Sequence, residues 1–557
     1  NIVSIFTKGL KNRLLSELKP RFVARVDKIC DPNTCPNKAG AHYTIPSFLT
    51  HSPPMTRPDL ARLYEASPYA AAQLERHPDW LTDLTPESSP DEDYRATYAA
   101  EHPHAATEDE LMQQLRRYKH RRQVRHIHAV VNGLIDEPAF LARTSALAET
   151  LISAALAWQH QALAARYGEP VDADGNPVPM LVLGMGKLGG GELNFSSDID
   201  LIYAYRENGT IRISGKQKPQ EHESWYRKLA QRLIHTLDTN TADGNVYRVD
   251  MRLRPFGQTG PLALSFAAME QYYLIHGRDW ERYALMKARP VAGDLEGGRQ
   301  LLAALRPFTY RRYLDYAALT ALSDMKQSIN RQIREAGIER HIKLGAGGIR
   351  EVEFIAQIFQ MIRGGQMRAL QLKGTQETLK KLAELGIMPS ENVETLLAAY
   401  RFLRDVEHRL QYWDDQQTQT LPSSPEQQQL LAESMGFDSY AAFSDDLNVH
   451  RNKVNQLFNE ILSEPEEQTP DNSEWQWAWQ DKPDEEERQG RLKEHGFDAE
   501  TIAARLDQIR HGHKYRHLSA HAQPRFDAIV PLFVQAATAQ PNPTDTLMRL
   551  FDFLENI

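Results

Sequence analysis

Asp198 and Asp200 stand one residue apart in the string FSSDIDLIYAY, which is separated by three residues from the glycine-rich run GMGKLGGG that opens at Gly184. In a strand, side chains two apart share a face, so both carboxylates look one way while Ile199 and Leu201 look into the core. Two carboxylates so close repel unless a cation lies between them. Hard oxygen donors of this kind suit Mg²⁺, with Mn²⁺ as the alternative. A third acid, Asp250, sits in YRVDMRLR, where Arg248, Asp250, Arg252 and Arg254 alternate with Tyr247, Val249, Met251 and Leu253. Three carboxylates on adjacent strands can hold two metal ions for in-line displacement at phosphorus, with arginines neutralising phosphate charge. The plain alternatives are an acidic strand start capped by Ser196 and Ser197, and a solvated sheet face over 247–254.

Other phosphate chemistries fit less well. Gly184, Gly186 and Gly189 satisfy the GxGxxG spacing of dinucleotide-binding folds, which requires a helix at once and an acid about twenty residues on. Here Gly190, Gly191, Asn194, Ser196 and Ser197 follow, and Asp198 comes too early. A phosphate-binding loop of the GxxxxGK[ST] type fails because Leu188 follows Lys187. A second glycine-rich turn, Lys343, Gly345, Gly347 and Gly348, enters a helix carrying Arg350, Glu351 and Glu353. A helix start can bind an anion through free amides, or be a simple cap. Glu351 and Glu353, two apart on a helix, do not share a face, so at most one reaches a metal site.

The elements that must position these groups read in blocks. Residues 1–54 carry both cysteines and end in a proline-containing stretch, and they read as a leader of doubtful relevance. A metal site of Cys30, Cys35, His42 and His51 has irregular spacing and no hydrophobic frame. Residues 55–175 are helical, with Leu147, Leu151, Ala155 and Leu156 recurring at three- and four-residue steps before Gly168. Residues 176–320 form a compact module: strands MLVLG, DIDLIYAY and NVYRVDMRLR, with a helix bearing Trp225, Leu229, Leu233 and Leu237 between the last two. Residues 321–463 return to helices, starting with ALTALSDMKQSINRQIRE. The stretch 464–490 is rich in acid and proline and reads as a linker, although Trp475, Trp477 and Trp479 suit docking. Residues 491–557 are helical and stop inside an apolar pattern, as though leading into a second half.

Composition sets limits. With 65 basic and 74 acidic side chains the net charge is −9, which argues against non-specific nucleic-acid binding. Two cysteines cannot staple 557 residues, so a reducing cytoplasm is the expected location. No secretory signal and no uncharged apolar run of about 18 residues is present, so no membrane span is expected.

The glycine-rich turn, the paired aspartates and the later single aspartate resemble the nucleotidyltransferase superfamily of DNA polymerase β. The longer strings GMGKLGGGELNFSSDIDLI, YRVDMRLRPFG, GRDWERYALMKAR and KLGAGGIREVEF, spread through roughly 60–463, resemble the bacterial glutamine synthetase adenylyltransferases. The resemblance implies an α+β, mostly helical fold: a polymerase-β-like module, a small mixed sheet with helices, flanked by helical domains. That family carries two related halves, one removing adenylyl groups by phosphorolysis and one adding them from ATP. GGGELNFSSDIDL is closer to the removing half. The resemblance implies Asp198, Asp200 and Asp250 as catalytic, metal-binding carboxylates, with Glu351 or Glu353 as a further ligand. Lys187, Gly189, Gly190, Ser196, Ser197, Arg252, Arg254, Lys343, Gly347 and Gly348 would bind phosphate or nucleotide. The implied partners are glutamine synthetase adenylylated on a tyrosine, a PII signal protein, orthophosphate and ADP or ATP. The rival readings are ATP-dependent adenylylation by the same fold and a non-catalytic docking module. Three intact carboxylates speak against the latter.

Overall fold

The computed structural model describes residues 58–85, 92–211, 220–311, 338–462, 475–479, 484–518 and 522–556. Residues 1–54, with Cys30, Cys35, His42 and His51, and the helix expected over ALTALSDMKQSINRQIRE lie outside those residues. Two compact units divide between Ile461 and Leu462.

In the first unit two long helices precede the sheet. Helix α1 (Glu108–Val131) starts on Thr107, whose hydroxyl accepts from the Glu110 amide, and carries three acids in its first turn, as the helix dipole favours. Helix α2 (Glu137–Tyr167) is capped by Asp136 and ends at Gly168, where φ is 79°. By length and composition α2 could cross a membrane, which the sequence reading did not anticipate. However, 61% of its most apolar stretch is buried within the protein. Leu147, Leu151, Ala155 and Leu156 form part of the main core, so α2 packs as a core helix.

The sheet follows as β1 (Leu181–Gly184), β2 (Ile199–Tyr205), β3 (Val249–Asp250), β4 (Ala263–Ser265) and β5 (Arg289–Gly293). Its order is β3-β2-β1-β5, with β4 also pairing β2. Strand β1 runs antiparallel to β2 and β5, whereas β3 and β4 both run parallel to β2. Helix α3 (His222–Asp238) makes the crossover from β2 to β3 and buries Trp225, Leu229, Leu233 and Leu237 with the α2 side chains. The opposite sheet face, Leu181, Leu183, Ile202 and Ala204, packs on Met269, Tyr273 and Leu301. A small mixed sheet between helices is the α+β, mostly helical architecture expected.

The strand anticipated across 247–254 is only two residues long, so Arg252 and Arg254 do not continue one strand face. The Asp250 carboxylate accepts from the Arg252 amide at 2.8 Å, closing a local turn that competes with the ladder. Phe256 then adopts a left-handed backbone, φ 62°, before Gly257.

Beyond residue 338 come α4 (Ile349–Arg363), α5 (Thr375–Glu384), α6 (Ser390–Tyr412) and α7 (Tyr440–Leu462). The second unit has its own core. Trp475 and Trp479 are buried with Leu492, Ile502, Leu506, Val530 and Val534. Helix α8 (Glu485–Glu494) begins inside the acidic stretch 464–490, and α9 (Ala499–His511), α10 (Ala522–Thr538) and α11 (Pro543–Asn556) follow. The Trp479 indole donates to Asp527 at 2.7 Å.

Candidate active site

The parallel pairing of β2 and β3 sets Asp200 directly beside Asp250. Asp198 precedes β2 and Arg248 precedes β3, so the two meet at the same end: Arg248 Nε donates to Asp198 Oδ1 at 2.6 Å. Arg252 chelates Asp250, its Nε lying 3.0 and 2.9 Å from the two carboxylate oxygens. An open cleft of about 500 Å³ is lined by Asp198, Asp238, Arg248, Asp250, Arg252, Arg254 and Gln258.

Asp200 is the carboxylate under electrostatic load. Burial, then the charges of Asp250 and Asp198, push its carboxyl up to about 7, with Lys343 opposing. Asp250 goes the other way: burial works against its charge, but Arg252 holds it below the usual carboxylate range. Gly186 makes room for this arrangement. Its φ is 53°, and a side-chain carbon there would lie 2.7 Å from Asp200 Oδ2.

The donor chemistry fits a hard divalent cation. Three oxygen-bearing acids stand on or beside the paired strands β2 and β3, and burial, followed by its like-charged neighbours, raises one of them. The side-chain directions are less finished. Among the described residues no three His, Cys, Asp or Glu side chains gather around one ion position, because Asp198 and Asp250 turn to arginines.

The expected phosphate ligands divide. Arg252 lines the cleft. Arg254 is buried and its guanidinium donates to the carbonyls of Met251, Gln258 and Gly260, at 2.7, 2.9 and 3.1 Å, so it holds the turn together. Lys187 is paired with Glu353 at 2.6 Å. Burial and the charge of Arg404 push this lysine down to about 8 while Glu353 opposes. Burial disfavours the Glu353 charge, yet Lys187, Lys343 and Lys287 hold it well below the carboxylate range. The Gly189 carbonyl accepts from Arg289 at 3.0 Å, and Gly190 lies against the Lys373 carbonyl. Ser196 is tied to the end of α6, its amide to Gln411 at 3.0 Å and its hydroxyl to the Asp415 carbonyl at 3.2 Å. The Ser197 hydroxyl donates to the Asp198 carbonyl.

The second glycine-rich turn is not an open anion cradle. The first α4 amides are already taken: Ile349 donates to the Ile342 carbonyl, Arg350 to that of Lys343 and Glu351 to that of Gly348. Gly347 and Gly348 are needed for packing, since a side chain at Gly347 would strike the Arg451 carbonyl. Glu351 faces Asn455 of α7 at 3.3 Å. Glu353 is therefore the acid that meets the first glycine-rich turn.

Sequence reasoning placed Arg248 among the arginines of the 247–254 face, without its pairing to Asp198. It missed Glu192, whose carboxylate accepts from the Thr375 amide at 2.7 Å at the start of α5 and from Lys287 at 3.2 Å.

The family described as glutamate–ammonia ligase adenylyltransferase matches residues 58–304, which contain the whole sheet and all three aspartates. A second family, described as GlnD PII-uridylyltransferase, matches 323–462. The chain is similar to the bifunctional glutamine synthetase adenylyltransferase/adenylyl-removing enzyme of Neisseria meningitidis serogroup A, 63% identical over 81% of this chain and 50% of that protein. The proteins of the same name from Thioalkalivibrio sulfidiphilus and Pseudomonas aeruginosa are 43% and 41% identical, over 89% and 90% of this chain and 52% of each of theirs. The chain thus spans about half the length of the curated relatives it matches. The sheet and its three aspartates lie inside the region similar to the glutamate–ammonia ligase adenylyltransferase family.

Proposed function

We propose that this chain removes adenylyl groups from a tyrosine of glutamine synthetase by phosphorolysis. The observation that carries the reading is the in-register pair Asp200 and Asp250, with Asp250, Arg248 and Arg252 lining one cleft. An orthophosphate oxygen attacks the adenylyl phosphorus in line, the bond from phosphorus to the tyrosine oxygen breaks, and ADP leaves. The tyrosine oxygen takes up a proton. The nucleophile is already an anion, so the site needs charge stabilisation more than a strong base. Arg248 and Arg252 supply paired donors for phosphate oxygens, and the Lys343 charge adds to the field at Asp200. Magnesium or manganese, held by Asp198, Asp200 and Asp250, would polarise the phosphorus–oxygen bonds.

The string GGGELNFSSDIDL supports the removal direction. The match of 323–462 to a PII-uridylyltransferase family supports a PII signal protein as regulatory partner. The test is incubation of the chain with adenylylated glutamine synthetase, with and without orthophosphate, and identification of the nucleotide released. Phosphate-dependent ADP is the expected product. Efficient transfer of label from ATP to the unmodified enzyme, with no response to phosphate, would reverse the direction.

A further inference from the structure

Arg248 and Arg252 each occupy an aspartate expected to bind metal, and both remain partly exposed in the same cleft. Arg248 pairs with Asp198 and Arg252 with Asp250, and the arginine side chains keep 39% and 29% exposure. Arg254 differs, because its donors are committed to backbone carbonyls. A guanidinium fork suits carboxylate and phosphate equally well, so each of the two arginines has a second acceptor once substrate phosphate enters the cleft.

We infer that Arg248 and Arg252 are exchangeable counter-ions, which compete with a divalent cation for Asp198 and Asp250 and, on displacement, bind the phosphate oxygens of the substrate. The inference rests on the phosphorolysis reading and deepens it by giving Arg248 a substrate-binding role. Asp198, Asp238 and Asp250 balance Arg248, Arg252 and Arg254 in the cleft lining. A divalent cation on the same carboxylates makes that lining positive and frees two guanidinium groups, which favours an anion. Cation and phosphate therefore tighten each other's binding, and linkage makes the effect equal in both directions. Full-length chain is required, since Asp200 and Lys343 act on one another across the first unit.

The test titrates Mn²⁺ onto the full chain by calorimetry, with and without AMP, for wild type, Arg248→Gln, Arg252→Gln, Arg248→Lys and Asp200→Asn. Wild type should bind Mn²⁺ more tightly when AMP is present. Each Arg→Gln variant should bind Mn²⁺ alone about tenfold more tightly and lose most of the AMP enhancement. Arg248→Lys keeps the charge but not the fork, so it should retain the competition and lose part of the enhancement. If the Arg→Gln variants bind Mn²⁺ as wild type does or more weakly, the exchange is wrong. If a glutamine variant does not fold, Arg248→Lys decides: an unchanged AMP enhancement overturns the proposal. Undiminished Mn²⁺ binding by Asp200→Asn is a different failure, and it would remove the metal from this cleft and with it the reading beneath the inference.

Discussion

At the scale of single residues, Asp200 combines a cost with a task. Burial and two neighbouring carboxylates raise it to about 7, so its charge at pH 8 opposes folding. Asp200→Asn should abolish ADP release, by at least about 100-fold, yet raise the melting temperature by about 2 °C when chelator is present. Activity assays and melting curves of the same sample check both. Arg252 and Arg254 give a second contrast. Arg254→Ala leaves the Met251, Gln258 and Gly260 carbonyls without their donor and should cost about 2–4 kcal/mol in denaturant unfolding. Arg252→Gln should leave the melt nearly unchanged and raise the KM for phosphate. The sequence made the aspartates legible, because period-two alternation around Ile199 and Leu201 holds in β2. Alternation did not reveal that the Asp250 carboxylate captures the Arg252 amide and that the strand ends there, so Arg254, which also lines the cleft, spends its donors on backbone carbonyls.

Among the elements, α4 stands between two carboxylates with opposite surroundings. Glu353 meets Lys187, while Glu351 is buried against Asn455. Burial raises the Glu351 carboxyl to about 7, above its unfolded value of 4.5, with the Gly347 amide, Asn455 and Arg451 opposing. Its contribution to stability is complete below pH 4.5 and is lost as pH rises through 7. Glu351→Gln keeps a hydrogen-bonding partner for Asn455 without the charge. The variant should match wild type near pH 4.5 and exceed it at pH 8, by up to about 3 kcal/mol. Unfolding across that range measures the gap, and a gap independent of pH would assign the shift to another group. The helix itself was legible from the apolar run after Gly348. The pairing of Lys187 with a residue 166 positions away was not, since no local pattern encodes it.

For the whole molecule, the division at Ile461 and Leu462 separates the cleft from a core built on tryptophans. Trp479 is buried and its indole is bonded to Asp527, so Trp479→Ala should cost the second unit about 3–5 kcal/mol. Phosphate-dependent ADP release should persist in that variant, because every residue of the cleft lies in the first unit. Loss of activity in a sample whose first unit remains folded would show that the second unit contributes to the reaction. The acidic composition of 464–490 reads as a linker, whereas two of the tryptophans that suit docking, Trp475 and Trp479, are buried in the core of the second unit.

The carboxylate of Glu192 at the start of α5 has a consequence for anyone who would transplant the sheet. The boundaries 176–320 look like a portable cassette, yet such a cassette would leave with half of two polar arrangements, one buried at Glu192 and one partly buried at Lys187. Glu192 would keep Lys287 but lose the Thr375 amide, and Lys187 would lose Glu353. Each loss would cost about 1–3 kcal/mol, together a large part of the stability of an ordinary domain. A chimera between relatives should therefore exchange 176–320 and the α4–α5 segment as one piece, and swaps that break inside that piece should express poorly even when every residue at the cleft is identical.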